Sequence, residues 1–226
     1  MNYKLFMCNP LQENCYVVSD ETGECVVIDC GAYYEEEQSA VLSYIRQHHL
    51  KPVHLLATHG HFDHNFGNAA LYRELGLKAE VCAEDEQLLG RIAEQTKAFL
   101  LPPPCTPMNY ELCTMNYETP PVGRLLKHAD TVSFGTHTLE VLQTPGHTPG
   151  SALFYCEAEH VVFSGDTLFR MSIGRTDLDG GSWSDMEQSL RTVVAALPPD
   201  TTVCPGHGPQ TVMSDELMYN PYLNRG

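Results

Sequence analysis

The run Thr58-His59-Gly60-His61-Phe62-Asp63-His64 packs four imidazole or carboxylate side chains into six residues, just after an apolar stretch. Such donors suit borderline divalent metals, and the set is compatible with Zn, Fe or Mn. Two histidines on one helical face would have three residues between them. The offset of two, followed by Asp-His, instead suits a turn that directs side chains at two ions. Three more candidates share this setting: His147 in Thr144-Pro-Gly-His-Thr-Pro-Gly150, Asp166 in Ser164-Gly-Asp-Thr167, and His207 in Pro205-Gly-His-Gly208. Each follows a predicted strand, and the surrounding Gly and Pro fix tight turns that hold the ligand. Singly, each reads as an ordinary loop residue. Jointly they complete two three-ligand sites with one carboxylate over.

Two divalent ions roughly 3.5–4 Å apart can hold a water between them and lower its pKa from about 15.7 to about 7, which gives hydroxide at neutral pH. The chemistry on offer is hydrolysis of an electrophilic carbonyl. The remaining histidines (His48, His49, His54, His128, His137 and His160) read as helix-end, surface or satisfied core residues.

These ligands need a scaffold. Short β-rich runs open the chain at Tyr3–Met7, Asn14–Ser19 and Glu24–Asp29, and Glu35–His48 reads as a helix with Val41, Leu42 and Ile45 on one face. Further strands are predicted at Val53–Thr58, Ala79–Ala83, Thr131–Ser133, Thr138–Gln143, Ala152–Cys156, His160–Ser164 and Thr201–Cys204. Helices are predicted at Asn68–Leu75, Glu84–Phe99 and Ser184–Leu197. Interleaved strands and helices predict an α/β fold with helices packed outside the sheets. All four ligand groups then fall just past strand ends, where α/β sheets hold their sites. Residues 100–123 break the rhythm with six prolines and the local echo CTPMNY/CTMNYE. They read either as a loop flanking the active site or as a tolerated surface insertion.

The 226 residues fit one domain, with two small ones possible on length alone, and 42% hydrophobic content supports a sizeable core without staples. A formal net charge of −16 with only 13 Lys and Arg argues against nucleic-acid and anionic-membrane partners. The nine cysteines show no C-x-x-C spacing and read as core thiols in a reducing compartment. The opening residues show no basic-then-apolar leader, and no apolar run reaches membrane-spanning length. The expectation is a cytoplasmic protein acting on a small molecule.

In order and over nearly the whole chain, the HxHxDH run, the later His, the Asp and the final His resemble the metallo-β-lactamase superfamily. The resemblance implies a four-layer αβ/βα sandwich, one domain over 1–226. His59, His61 and His147 would hold one ion; Asp63, His64 and His207 the other; Asp166 would bridge both. Asp63 and Asp166 would be the catalytic carboxylates, with Asp63 orienting the nucleophile. Asp29, in Val27-Ile-Asp-Cys-Gly31, matches a family Asp that sits behind the ligands, or is a strand-end turn residue.

Gly165-Asp-Thr-Leu-Phe169 followed by Gly174-Arg175-Thr176-Asp177 is similar to the hydroxyacylglutathione hydrolases (glyoxalase II), particularly their short bacterial branch. That implies hydrolysis of the thioester S-lactoylglutathione at two divalent ions, zinc first among the candidates. Arg175, with Arg170 assisting, would bind a glutathione carboxylate, unless it is a surface or structural arginine. The longer enzymes carry a Tyr where this chain has Pro209 and a C-terminal helical domain not present within these 226 residues, so glutathione is expected to bind weakly. The alternatives are a mono-iron persulfide dioxygenase, using residues matching His59, His147 and Asp166, and a non-catalytic metal or ligand sensor. Filled catalytic positions weigh against the sensor. A β-lactamase fits less well because those enzymes lack the bridging Asp.

Overall fold

The computed structural model describes residues 1–100 and 117–224. Strands β1 (Asn2–Cys8), β2 (Glu13–Ser19) and β3 (Glu24–Ile28) form an antiparallel meander. To it β4 (Lys51–Leu56), β5 (Ala79–Cys82) and β6 (Leu125–Leu126) are added in parallel, giving a six-stranded sheet in the order β1-β2-β3-β4-β5-β6. A second six-stranded sheet contains β7 (Thr131–Phe134), β8 (His137–Gln143), β9 (Ala152–Cys156) and β10 (Val161–Gly165). A small hairpin of β11 (Leu168–Phe169) and β12 (Ser172–Ile173) follows, and β13 (Thr202–Pro205) and β14 (Thr211–Val212) complete the order β14-β13-β10-β9-β8-β7. Helices α1 (Glu35–Gln47), α2 (Asn68–Leu75), α3 (Glu86–Leu89) and α4 (Ile92–Leu100) belong to the first half. Helices α5 (Trp183–Thr192) and α6 (Met213–Tyr219) belong to the second.

The period of two along each strand divides the interior into three cores. On β2 and β3, Cys15, Val17, Cys25 and Val27 face Val41, Leu42 and Ile45 of α1 and Leu71 of α2. Their neighbours Tyr16, Val18, Val26 and Ile28 face the other sheet, meeting Phe134, Phe154 and Phe163. On the far side of the second sheet, Leu153, Tyr155, Val162 and Val203 receive Met186 and Leu190 of α5. Three cores between four layers make an αβ/βα sandwich. Sheets covered on both faces also explain why these strands read as unbroken apolar runs rather than alternating ones. Truncating a fully buried ring of the middle core, such as Phe163, would cost about 3–5 kcal/mol.

Most predicted elements recur with shifts of a residue or two, with two corrections: the helix expected over Ser184–Leu197 ends at Thr192 and is followed by a 3₁₀ turn at Val194–Ala196, and the other lies in the first half. The long helix expected over Glu84–Phe99 is a 3₁₀ turn at Ala83–Asp85, then α3 and α4 separated at Gly90 and Arg91. Asp85 is buried and spends its carboxylate on other loops, which holds this stretch off one helical axis, and Gly90 weakens a helix by about 1 kcal/mol. Strands β6, β11, β12 and β14 and helix α6 were not foreseen; four two-residue strands and a seven-residue helix carry too little periodicity. Of the proline-rich stretch, residues 101–116 lie outside the described residues. The seven described cysteines are all buried and free. No helix among the described residues is long and apolar enough to cross a membrane.

Candidate metal centre

All four ligand segments leave the C-terminal ends of β4, β8, β10 and β13, and the sandwich brings these ends to one place. Beyond β4, His59 and His61 lie in a loop, and Phe62–His64 form a 3₁₀ turn that presents Asp63 and His64. His59, His61, Asp63, His64 and His147 are buried. Donor atoms of His59, His61 and His147 gather into one group, those of Asp63, His64 and His207 into another, and Asp166 reaches both. The seven residues singled out from the sequence therefore converge.

Asp166 Oδ1 lies 3.3 Å from His64 Nε2 and 3.8 Å from His207 Nε2, while Oδ2 lies 3.5 Å from His147 Nε2. Asp63 Oδ2 stands 3.3 Å from His207 Nε2 and 3.8 Å from His64 Nε2. Donors around one tetrahedral ion at metal–ligand distances of about 2.0–2.1 Å are separated by roughly 3.4 Å. Most of these spacings are too long for good hydrogen bonds and right for shared coordination. His61 Nδ1 and His147 Nε2 approach more closely, at 2.8 Å. Within this buried cluster His59 Nε2, His64 Nε2 and Asp166 Oδ1 have no hydrogen-bond partner, although burying an unpaired polar group costs free energy. Their donor set is that of a divalent ion, so the residues fit one.

The electrostatics agree. Burial lowers the His59 imidazole well below its usual range, with His64, His61 and His147 adding to the effect, and burial pushes His61 down to about 4. Metals bind neutral imidazole, so both directions favour coordination. Burial would raise the Asp166 carboxyl, yet His64, His147 and His207 hold it well below the ordinary carboxylate range. Burial would likewise lower His64, but Asp166, Asp63 and Asp29 draw it well up. Among the described residues no Lys or Arg pairs with Asp63, Asp166 or Asp29, so the clustered acids await a cation of another kind.

Four of the five imidazoles, those of His59, His64, His147 and His207, are fixed from behind through the nitrogen Nδ1. His64 Nδ1 meets Asp29 Oδ2 at 2.9 Å, and Asp29 also accepts from the Thr58 amide and hydroxyl at 2.7 Å each. Asp29 thus sits behind a ligand rather than serving only a turn. His147 Nδ1 meets the Arg175 carbonyl oxygen at 2.7 Å, His207 Nδ1 the Leu11 carbonyl oxygen at 3.1 Å, and His59 Nδ1 the Thr58 hydroxyl at 3.0 Å. Gly206 comes so near that a Cβ there would lie 2.5 Å from Asp166 Oδ1 and 2.6 Å from His64 Cε1.

Two supporting acids escaped the sequence reading. Asp85 accepts from the Gly60 amide at 2.8 Å, the Thr148 hydroxyl at 2.7 Å and the Gly150 amide at 2.7 Å, tying the His59–His61 loop to the His147 loop. In Glu84-Asp85-Glu86 it looks like one acid of a solvated helix start, and nothing local marks it. Glu13 is fully buried, with Oε2 accepting from the Gly31 amide at 3.1 Å and Oε1 4.0 Å from His64 Nδ1. Burial raises its carboxyl well above the usual range. An acid inside the apolar strand Glu13–Ser19 was the one available signal.

A chamber of about 230 Å³ opens on the cluster, lined by Leu11, Phe62, Leu178 and Arg175 with ligand side chains. Beside it a cavity of about 470 Å³ shares His61, Phe62, Arg175 and Leu178 and extends past Leu88 and Arg91. Arg175 is present as expected, but its guanidinium is already paired in bidentate fashion with Asp177 at 2.7 and 2.8 Å. Arg170, expected to assist it, is exposed between β11 and β12 and lines neither space, because that short hairpin carries it away. Tyr117, at the described end of the proline-rich stretch, donates to the Asn65 carbonyl oxygen, and the Asn65 side-chain amide donates to the carbonyl oxygens of His59 and His61.

The chain matches the family model for the metallo-beta-lactamase superfamily over residues 8–207. It belongs to that superfamily. Within it, the chain is similar to the hydroxyacylglutathione hydrolase GloC of Haemophilus influenzae, at 32% identity over 225 residues and 99% of each chain. Among solved structures, TTHA1623 in a di-iron-bound form superposes with a TM-score of 0.79 at 36% identity, covering 97% of this chain and 100% of that one. The BLEG-1 B3 metallo-beta-lactamase gives 0.79 at 32% identity, covering 99% and 100%. The superfamily fold binds divalent metals, and the His-rich site fits this; the likeness includes a di-iron protein, so the fold alone does not select zinc.

Proposed function

We propose that this metallohydrolase cleaves thioesters of hydroxy acids, with S-lactoylglutathione or a related hydroxyacylglutathione as substrate, at a centre of two divalent ions. The observation that carries the two-ion reading is the carboxylate of Asp166, whose oxygens are divided between the two donor groups. A bridging carboxylate has a use only where there are two ions to bridge. The whole-length likeness to GloC supports the thioester.

Two ions held there supply Lewis-acid polarisation of the acyl oxygen and a water acidified toward neutral pH. The protein's own groups do the rest. Phe62, Leu178 and Leu11 give the inner chamber apolar walls that limit bulk water and orient the acyl group. Asp63, held low by His64 and His207 against the upward pull of burial, is ionised and can accept a hydrogen bond that orients the attacking water. A departing thiolate needs little general acid, which matches a chamber whose described lining residues include no acid beyond the ligands. Among the described residues of the outer cavity, Arg91 and Arg175, paired with Glu94 and Asp177, are cations that a carboxylate-bearing thiol carrier would have to draw from those exposed partners.

The deciding experiment is an anaerobic assay of S-lactoylglutathione cleavage, run beside an oxygen electrode with glutathione persulfide and a β-lactam comparison motivated by BLEG-1. Thioester cleavage without oxygen supports the reading. Oxygen uptake with persulfide and no anaerobic cleavage overturns it in favour of a dioxygenase, and turnover of the β-lactam alone overturns it in favour of a lactamase.

A further inference from the structure

The turn between β1 and β2 touches the metal centre in an uneven way. Asn9 and Gln12 both take left-handed backbone conformations, and the Asn9 carboxamide oxygen accepts the Leu11 amide, so the turn is rigid. From this turn the Asn9 side-chain amide donates to the Gly31 carbonyl oxygen at 2.9 Å and to that of Asp63 at 2.8 Å. Leu11 offers its carbonyl oxygen to His207 Nδ1. The Asn14 amide donates to the Gly206 carbonyl oxygen, and its side chain straddles His207, donating to Pro205 at 2.9 Å and Gly208 at 2.8 Å. Both asparagine side chains are buried, and neither is exchangeable for an apolar group without orphaning carbonyl oxygens.

Apart from the bond to Gly31, which lies just beyond Asp29, these contacts end on Asp63 and on the segment around His207. Among the described residues, no hydrogen bond runs from residues 8–14 to His59, His61 or His147. Those three are held by Asp85, Thr58, Asn65 and the Arg175 carbonyl. The linked pair Asp29 and Thr58 backs His64 and His59 together and Asp166 reaches both groups, whereas the bonds of Asn9, Leu11 and Asn14 reach only the Asp63 and His207 side.

We propose that Asn9 and Asn14 are positioning residues for the second ion alone, so that the β1–β2 turn sets occupancy of the Asp63–His64–His207 group independently of the other. The inference rests on the two-ion part of the proposed function and not on its substrate. Supporting partners of this kind typically govern metal affinity by about 10–100-fold.

The test is titration of metal-free protein with Zn²⁺ against a chromophoric chelator. Wild type should bind two equivalents; Asn14→Ala should keep one at wild-type affinity and bind the other about 10–100-fold more weakly. Cobalt spectra of His207→Ala and His147→Ala give references for loss of either group, and the one-ion form of Asn14→Ala should match the first. Equal weakening of both equivalents, unchanged affinities, or a match to His147→Ala overturns the proposal. Tyr16 also donates its hydroxyl to Pro205, which helps keep that strand end in place when Asn14 is cut. Should circular dichroism show Asn14→Ala unfolded, Asn9→Ser and Asn14→Ser are read in the same titration. A single equivalent in wild type overturns both the proposal and the two-ion reading, while thioester turnover is measured separately.

Discussion

Asp85 and Thr148, 63 residues apart, share a buried hydrogen bond of 2.7 Å. Together with the bonds from Gly60 and Gly150 to the same carboxylate, it joins the two loops that supply His59, His61 and His147. Three donors converge on an acceptor-only group, so an amide in its place turns N–H groups against N–H groups. Asp85→Asn should bind the first ion about 10–100-fold more weakly and lose about 1–3 kcal/mol of stability. Chelator competition and urea unfolding measure the two, and a variant with intact affinity would remove Asp85 from the support of the site.

Gly206→Ala tests the closeness of the backbone to the bridge. The new methyl would meet Asp166 Oδ1 and His64 Cε1, and the ligands must shift by several tenths of an ångström. A misplacement of about 1 Å costs on the order of 100-fold in rate, so turnover should fall by about that factor while the fold persists. Near-wild-type turnover in a folded Gly206→Ala protein would show that the bridge tolerates displacement.

Removal of the bridge itself should be more severe. Asp166→Ala leaves both donor groups one oxygen short, and the protein purified in metal-replete medium should carry fewer than two ions and show no measurable turnover. Elemental analysis that still finds two ions per chain contradicts a bridging role.

Arg175 separates its two contributions by atom. Its backbone carbonyl holds His147, and alanine preserves that bond; its guanidinium faces the cavities and Asp177. Arg175→Ala should therefore keep full metal content and raise KM for S-lactoylglutathione by about tenfold, a modest effect because the side chain is half-exposed and already paired. An unchanged KM across several glutathione thioesters excludes the side chain from the substrate site.

His54 provides a pH effect remote from the metal centre. The hydrogen bond with Glu80 raises its pKa above 6.5 despite partial burial. A raised folded-state pKa means that the stabilisation is complete below the unfolded value and is lost as pH climbs through the folded one. The stability advantage of metal-free wild type over His54→Gln should thus be full at acid pH and shrink as pH rises above the ordinary histidine range in urea unfolding. Parallel stability curves for the two proteins would show that the pair does not titrate in this range.

The ligand set was legible in the chain because metal chemistry restricts residue types and because each ligand segment carries Gly or Pro just past a strand end, a local pattern. Strand and helix order was equally local: residues such as Tyr16 and Val17, or Val26 and Val27, alternate between two cores, and both stretches read as buried strands. Tertiary structure alone decided the rest. Asp85 and Glu13 acquire their parts from partners tens of residues away, and a carboxylate looks the same in sequence whether it meets water or three buried donors. The interruption at Gly90, the pairing of β6 with β5 and of β14 with β13, and the bonds of the β1–β2 turn to Asp63 and His207 likewise depend on which surfaces meet. Arg175 was marked by its side chain, yet its carbonyl holds His147; a backbone group has no sequence signature, and only folding gives it a neighbour.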